Sequence, residues 1–400
     1  MKLCIAALLL FSSGALAAGQ EYSVTVTAGA FDRDGTIVSF RFPDRVDDGI
    51  YAMESGSGDP VYLQVDDNEG WFILDQLKAG ASRTFTVSPG PLPAREAFLE
   101  VTRQDGDPEV SFRSGTKDVL SYYHSESKLP DGVSDRYRRA GYIHPVYTPG
   151  GTVVTNHMSE GREHHYGIWS AWTNTQFQGR TPDFWNAHDG SGRVDGDSLE
   201  AAWDGPVHGG FRSNHRFTDL SGPEPVIALN EHWEVRVYRS PQNGAYHIFD
   251  LTMTHTANTG SPLALPEYRY GGLGVRGHGD WNEEGNLFFL TSEGYDYSNG
   301  NGTRARWSHV GGFVDGRLAG IAILGHPGND RHPQTVRIHP SEPFFNYAPS
   351  QLGDWSIRPG SPWVGRYRFI TYDGEPEAGE LDRLWNDYAY PPGVSVAIIH

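Results

Sequence analysis

Short runs of alternating hydrophobic and polar residues recur along most of this chain. In residues 22–27 the order Tyr-Ser-Val-Thr-Val-Thr changes polarity at every position, and residues 83–87 and 231–238 follow a similar order. Neighbouring side chains on a β-strand point to opposite faces, so a period of two predicts strands with one buried face. The 49 glycines and 26 prolines interrupt these runs and predict the turns between them.

The arrangement of these runs predicts an all-β protein. Residues 233–238 and 246–253 flank an Asn-Gly turn and predict a β-hairpin. Helical spacing occurs only near residues 379–388, where one or two turns are expected. No segment of 20 to 50 residues repeats, which argues against propellers and solenoids. We therefore expect an N-terminal strand-rich β-sandwich portion, residues 18–115, followed by a large antiparallel sandwich, residues 116–400, which carries the site.

The N-terminus has the features of a secretory signal peptide. Lys2 precedes an apolar stretch, residues 5–11, and residues 15–17 read Ala-Leu-Ala. The signal is expected to span residues 1–17 and the mature chain to begin near Ala18, in the periplasm or outside the cell. The stretch is too short to cross a bilayer and no other long apolar run exists, so no membrane insertion is expected. Cys4, the single cysteine, lies inside the signal, so the mature protein has no disulfide.

Charge and aromatic content narrow the choice of partners. The net charge is −18. Proteins that bind nucleic acids without sequence preference are usually basic, so a nucleic-acid partner is not expected. A local cluster of arginines can still bind an anionic sugar. The chain has 11 Trp, 20 Tyr and 19 Phe, and exposed aromatic rings are suitable platforms for a pyranose. These features favour a poly- or oligosaccharide as the partner.

The densest group of reactive side chains is Glu163-His164-His165-Tyr166. Histidine transfers protons near neutral pH, a neighbouring carboxylate can orient its ring, and tyrosine can act as an acid. If the two histidines lie on a strand, they point to opposite faces, so only one is expected to face a given cleft. The other is then expected to be structural.

Other candidates lie far apart in the sequence. His326, Asn329 and Arg331 follow an apolar strand, and Arg276 follows a glycine-rich stretch that begins after Glu267. Binding is assigned to seven side chains: Tyr142, Trp185, Asn186, Glu267, Arg276, Asn329 and Arg331.

We expect His164 or His165 to converge with His326, Arg331 and Arg276 on one surface, walled by Trp185 or Tyr142. No His-Glu-x-x-His or His-x-His spacing indicates zinc, so no cofactor is expected, although dispersed histidines leave a divalent metal open.

Five motifs in the same order resemble the bacterial family labelled "methane oxygenase PmoA-like". They lie in residues 142–149, 164–169, 183–185, 271–277 and 320–331. A methane oxygenase subunit is a membrane protein, so the resemblance does not imply that activity. It implies a β-supersandwich similar to galactose mutarotase and to some polysaccharide lyases, in a secreted protein of polysaccharide-degrading bacteria.

The leading hypothesis is an enzyme that cleaves a glycan C–O bond. In a lyase, His164 or His165 would remove the C5 proton of a uronic acid, Tyr166 would protonate the leaving oxygen and Arg276 would neutralise the carboxylate. His326 is a further catalytic candidate. In a hydrolase, Glu163 and Glu267 would flank the bond. A non-catalytic glycan-binding protein and a mutarotase-like sugar epimerase are the alternatives.

Overall fold

The computed structural model describes residues 21–56, 60–88, 99–104, 106–241 and 244–399. Strands form 52% of the chain and helices 6%, which confirms the all-β prediction. The expected signal peptide lies outside the described residues.

The strands are numbered in chain order. The first thirteen are β1 (Glu21–Thr27), β2 (Thr36–Arg41), β3 (Gly49–Glu54), β4 (Val61–Asp66), β5 (Glu69–Leu74), β6 (Ser82–Ser88), β7 (Leu99–Arg103), β8 (Glu109–Ser114), β9 (Lys117–Tyr123), β10 (Tyr142–Val146), β11 (His157–Ser159), β12 (Arg162–Tyr166) and β13 (Ile168–Ser170). The others are β14 (Gly192–Trp203), β15 (His208–Asp219), β16 (Val226–Tyr238), β17 (His247–Ala257), β18 (Leu263–Leu265), β19 (Leu273–Arg276), β20 (Phe288–Thr291), β21 (Trp307–Val314), β22 (Arg317–Gly325), β23 (Val336–Ile338), β24 (Phe344–Tyr347), β25 (Trp355–Ile357), β26 (Trp363–Asp373) and β27 (Gly393–Ile399). The α-helix α1 spans Ala378–Ala389, and short 3₁₀ helices span Asp135–Tyr137, Gly279–Asn282 and Pro349–Leu352.

The N-terminal portion is one seven-stranded sheet, in the order β2-β5-β4-β3-β6-β1-β27. Alternate residues of its strands, such as Val24, Phe72 and Phe85, enter a single core. The edge strands β2 and β27 contact each other, so the sheet curls around that core. The N-terminal strand-rich portion is therefore built from one sheet that curls on itself. Its boundary also differs from residue 115, because β7 and β8 pair within the next unit and the C-terminal β27 returns to pair with β1.

The large sandwich has two antiparallel eight-stranded sheets. The front sheet has the order β23-β24-β19-β13-β10-β9-β8-β7, and the back sheet has the order β14-β15-β16-β17-β26-β22-β21-β20. The main core lies between them, with Ile143, Ile168 and Val275 from the front and Trp233 and Phe369 from the back. Because alternate residues of the front strands enter this core, the residues between them form an outer face.

Helix α1 covers the outer face of the back sheet. Its Leu381, Leu384 and Trp385 pack there, which confirms the predicted helical spacing. Asp387 of the same helix binds Arg33, in the connection between β1 and β2 of the N-terminal portion, at 2.8 Å, so the helix also joins the two units. In the described part of the chain, no helix is both long and apolar enough to cross a membrane.

A buried polar network lies between the two sheets of the sandwich. Glu231 is fully buried and accepts hydrogen bonds from His215 Nδ1 at 2.8 Å and His255 Nε2 at 2.7 Å. Ser170 also donates to Glu231, which links the front sheet to the back sheet. Burial raises the pKa of Glu231, but the two histidines outweigh burial and leave its pKa well below the usual value. The carboxylate is therefore held ionised by two histidines of the back sheet.

Candidate functional site

The outer face of the front sheet carries the paired histidines. Tyr142, Trp169 and Phe344 extend outward from three of its strands, between residues that enter the core. The β11–β12 hairpin folds over them, and we call this face with its hairpin the histidine face. Gly167 lets the chain turn from the hairpin into β13: its φ is +76°, and a Cβ there would lie 2.3 Å from the carbonyl oxygen of Ile143.

The two paired histidine rings lie side by side. Their centroids are 4.5 Å apart in an edge-to-face arrangement, and Trp185 lies 6.1 Å from His164 and 5.8 Å from His165. Neighbouring side chains of a regular strand point to opposite faces, whereas these two rings contact each other. The reason is that the hairpin register shifts between His157 and Ser159, and two-stranded ribbons twist strongly.

The rings differ in how far they reach the surface. His165 is buried at 4% exposure, and its ring stacks on Phe344 at 5.1 Å. His164 is half-buried, and burial followed by the charges of His188 and Arg162 lowers its pKa to about 4. Burial also lowers the pKa of His165 strongly. Both rings are therefore neutral at pH 7.

Two arginines share one carboxylate beside the histidines. Arg162 Nε donates to both oxygens of Glu342, at 2.7 and 2.9 Å, and Arg276 Nη1 donates to Oε2 at 2.7 Å. Burial raises the pKa of Glu342, but the hydrogen bonds from Arg162 and the charge of Arg276 outweigh it and lower the pKa. The two guanidiniums are therefore held against one carboxylate, and the charge of Glu163 also acts on Arg162.

Several buried polar atoms of this face have no protein partner. Among the described residues, they include Nδ1 of His164, Nδ1 of His165, Nε of Arg276 and Nε1 of Trp169. Buried polar groups are usually hydrogen-bonded, so a group of unpaired ones indicates where a ligand or water binds.

A second group of histidines lies on the same face. The rings of His144 and His157 stack at 4.7 Å, and His144 Nδ1 lies 2.9 Å from Thr155 Oγ1. Burial, followed by the charges of His157 and His278, lowers the pKa of His144 to about 3. Within the described ranges, no three His, Cys, Asp or Glu side chains are grouped to hold a metal ion. His144 and His157 therefore add neutral hydrogen-bonding groups to the histidine face.

Comparison with known proteins identifies the family. A model described as "Family of unknown function (DUF6807)" matches residues 109–386. The chain belongs to the DUF6807 family. No curated protein matches it.

Two solved structures from Enterococcus faecalis are similar to this DUF6807 chain at 8% identity. One is a protein in glycosyl hydrolase family 38, with a TM-score of 0.40 and coverage of 95% of this chain and 47% of its own. The other is an alpha-mannosidase from strain V583, with a TM-score of 0.42 and coverage of 97% and 47%. The DUF6807 chain thus spans about half the length of these proteins, and a likeness at this level does not extend to the site.

Several predicted site residues of the DUF6807 chain are structural supports. Tyr142 is fully buried and donates its hydroxyl proton to Ser127, and Trp185 is 4% exposed and donates from Nε1 to the carbonyl oxygen of His164. Tyr166 is 2% exposed and donates to the carbonyl oxygen of Tyr137. Asn186 donates to Asp183 and Thr173, which shapes the loop that holds Trp185. These side chains position the histidines, and none forms an open wall as expected.

The two glutamates proposed for hydrolysis lie on different loops. Glu163 accepts from the backbone N–H of Gly161 at the hairpin turn, and backbone hydrogen bonds lower its pKa. Glu267 is exposed, and its own N–H donates to Asp354. Glu163 therefore belongs to the histidine face, whereas Glu267 lies beside the 349–354 loop.

The predicted convergence of His326 and Arg331 with the paired histidines is wrong. The ring of His326 contacts Tyr388 of α1 at 5.1 Å, on the opposite side of the sandwich. Arg331 donates to the carbonyl oxygens of Pro349, Gly353 and Asp354. The strand before this loop, β22, belongs to the back sheet, and its end therefore leads away from the histidine face.

Sequence reasoning missed important members of the site. Glu342 and Arg162 were not singled out, although they meet across 180 positions of the sequence. No motif in the neighbouring sequence identifies Glu342, which lies in a loop between a serine and a proline.

Proposed function

We propose that this chain is an exported carbohydrate-active enzyme that cleaves a glycan C–O bond by proton transfer at the histidine face. One observation carries the proposal: two neutral histidine rings in contact, each with an unpaired Nδ1, lie beside arginines that share one carboxylate. Such a site offers a base together with charge stabilisation, as abstraction of a proton next to a carboxylate requires. Membership of the family labelled PmoA-like remains a prediction that agrees with this assignment.

His164 is the proposed base. It is the more exposed ring of the pair, and its pKa of about 4 leaves it unprotonated at pH 7. It would remove the C5 proton of a uronic acid, the electron pair would form the C4–C5 double bond, and the C4–O bond would break. A bound substrate carboxylate would raise the pKa of His164 and make it a stronger base.

Arg162 is the proposed contact for the substrate carboxylate. Its side chain is 43% exposed, whereas that of Arg276 is 3% exposed and lies behind Glu342. Arg276 is then a positioning residue that fixes Glu342 and, through it, Arg162. The sequence favoured a direct contact between Arg276 and the substrate carboxylate, and the proposal assigns that contact to Arg162 instead.

Tyr270 is the proposed acid in place of Tyr166. The hydroxyl of Tyr166 is committed to a backbone carbonyl. The hydroxyl of Tyr270 accepts from Arg337 Nη2 at 3.2 Å, so its own proton is left for donation. Tyr270 is half-buried and packs against Trp185 at 5.2 Å, within the same cluster as the histidines.

The electrostatics favour a lyase over a hydrolase. A glycosidase needs one carboxylic acid with a raised pKa. The pKa values of Glu163 and Glu342 are both lowered, by backbone hydrogen bonds and by the two arginines respectively. A protein that binds a glycan without turnover is the second candidate, because the burial of His165 leaves only one ring of the pair near the surface.

The test is incubation of the purified protein with polygalacturonate, alginate and neutral xylan. We expect new ultraviolet absorbance from an unsaturated uronate, and we expect His164→Ala to lower the rate by about 10²–10⁴-fold. His326→Ala, on the other side of the sandwich, is the matched control and should retain the rate. Reducing ends without absorbance would indicate hydrolysis, and binding without products would indicate the second candidate. A product of unchanged mass from a free sugar would indicate an epimerase.

A further inference from the structure

The loop at residues 326–333 lines a cavity of its own. The cavity has a volume of about 490 Å³ and is formed by this loop, by β25 and by the first residues of β26. It shares no lining residue with the histidine face. Its volume lies within the range of roughly 300–1,000 Å³ that small-molecule sites occupy.

Two tryptophans line the cavity. The rings of Trp355 and Trp363 are 6.0 Å apart and inclined by 52°. Trp355 is half-buried, so part of its ring remains open to solvent. The guanidinium of Arg331 lies 5.6 Å from the centre of that ring, and Trp355 Nε1 donates to Ser350 Oγ at 3.0 Å. The ring is thus held in one orientation before any ligand arrives, which lowers the entropic cost of binding.

Polar groups of both signs lie beside the tryptophans. The side chain of Asp330 is 56% exposed, and Arg366 lines the same cavity. Over the described ranges, the guanidinium of Arg366 forms no hydrogen bond or ion pair, whereas the next outward arginine of the strand, Arg368, is paired with Asp250. The backbone of Arg366 is held by Asn329, which accepts from its N–H and donates to its carbonyl oxygen, both at 2.8 Å.

We propose that this cavity is a second glycan-binding site, which takes one pyranose unit. The C–H face of the sugar would pack on Trp355, its hydroxyls would donate to Asp330, and Arg366 would donate to its hydroxyl oxygens. Asp330 also forms an ion pair with Arg331 at 3.8 Å, and Arg331 donates to backbone carbonyls, so Arg366 is the cation left free for a ligand. The inference does not depend on the histidine face being catalytic.

The probes are tetraoses of glucose, xylose, mannose and galactose, titrated against the full chain by saturation-transfer NMR and calorimetry. We expect at least one to bind. Trp355→Ala should weaken that binding by at least about tenfold, since aromatic anchors carry much of the affinity of such sites. Arg366→Ala should also weaken it. Arg317→Ala, an exposed arginine on the back sheet, is the matched control and should bind normally.

A second variant keeps the test valid if Trp355→Ala fails to fold. Ser361→Trp fills the cavity from an exposed position and should abolish binding without disturbing the core. His164→Ala should retain binding, which separates this site from the histidine face. Absence of binding by all four tetraoses overturns the proposal. Binding that survives Ser361→Trp and is lost in His164→Ala also overturns it, because the histidine face would then be the site.

Discussion

Acid should destabilise this protein well before its carboxylates titrate, and His309 provides the clearest measure. Its ring is 2% exposed and lies against two glycines: a Cβ at Gly311 or Gly320 would approach its Cε1 to 2.6 or 2.3 Å. Its Nδ1 lies 2.6 Å from the hydroxyl of Tyr372. Burial lowers the pKa of His309 to about 3, against 6.5 for an exposed histidine. The folded protein therefore keeps this ring neutral at pH values where the unfolded chain protonates it.

The sign and size of the effect follow from linkage. The lowered pKa means that only the unfolded chain binds the proton, so stability is full above pH 6.5 and falls as the pH drops towards the folded pKa. Each pH unit in that window costs about 1.4 kcal/mol per histidine, so His309 alone contributes a loss of about 2 kcal/mol between pH 6.5 and about 5. Against a typical free energy of unfolding of about 5–15 kcal/mol, this loss is measurable. Burial lowers the pKa of His144 and His208 as well, so they add losses of the same sign.

Urea unfolding at several pH values, followed by tryptophan fluorescence, measures this slope. His309→Gln keeps an acceptor for Tyr372 and removes the titrating group, so its slope should be smaller than that of the wild type by about 1.4 kcal/mol per pH unit. Lys128→Gln, at an exposed position, is the control and should leave the slope unchanged. An identical slope in His309→Gln and wild type would refute the reasoning.

Three further changes test the packing. Glu231→Ala should cost about 3–5 kcal/mol in urea unfolding, because it leaves two buried histidines without their carboxylate, and exposed Glu224→Ala should stay within about 0.5 kcal/mol. His165→Ala should lower the melting temperature more than His164→Ala, since the buried ring loses more packing; the reverse order would contradict the assignment of His164 to the surface. Gly167→Ala should destabilise by about 1–3 kcal/mol and shift the β11–β12 hairpin, visible as changed near-ultraviolet circular dichroism; an unchanged spectrum and stability would show that the turn tolerates a Cβ.

Part of the site could be found from local signals. The Glu163–Tyr166 segment is polar and rich in histidine, and it does lie on a surface hairpin above the front sheet. The contact between His164 and His165 could not be predicted, because it depends on a register shift in a two-stranded ribbon. Glu342 could not be predicted either, since its significance arises only when distant strands bring Arg162 and Arg276 to it.

The sequence by itself determined that this chain forms strands, where many of them lie, and that one short helix follows near the C-terminus. These features depend on whether a residue and its near neighbours can bury one face, which a period of two or of 3.6 records directly. Only the tertiary structure decided that β7 and β8 join the front sheet, that β27 returns to the N-terminal sheet, and that the loop at 326–333 lies opposite the histidines. The order of strands in a sheet is set by contacts between residues far apart in the chain, and the alternating pattern of a strand is the same whichever neighbour it pairs with.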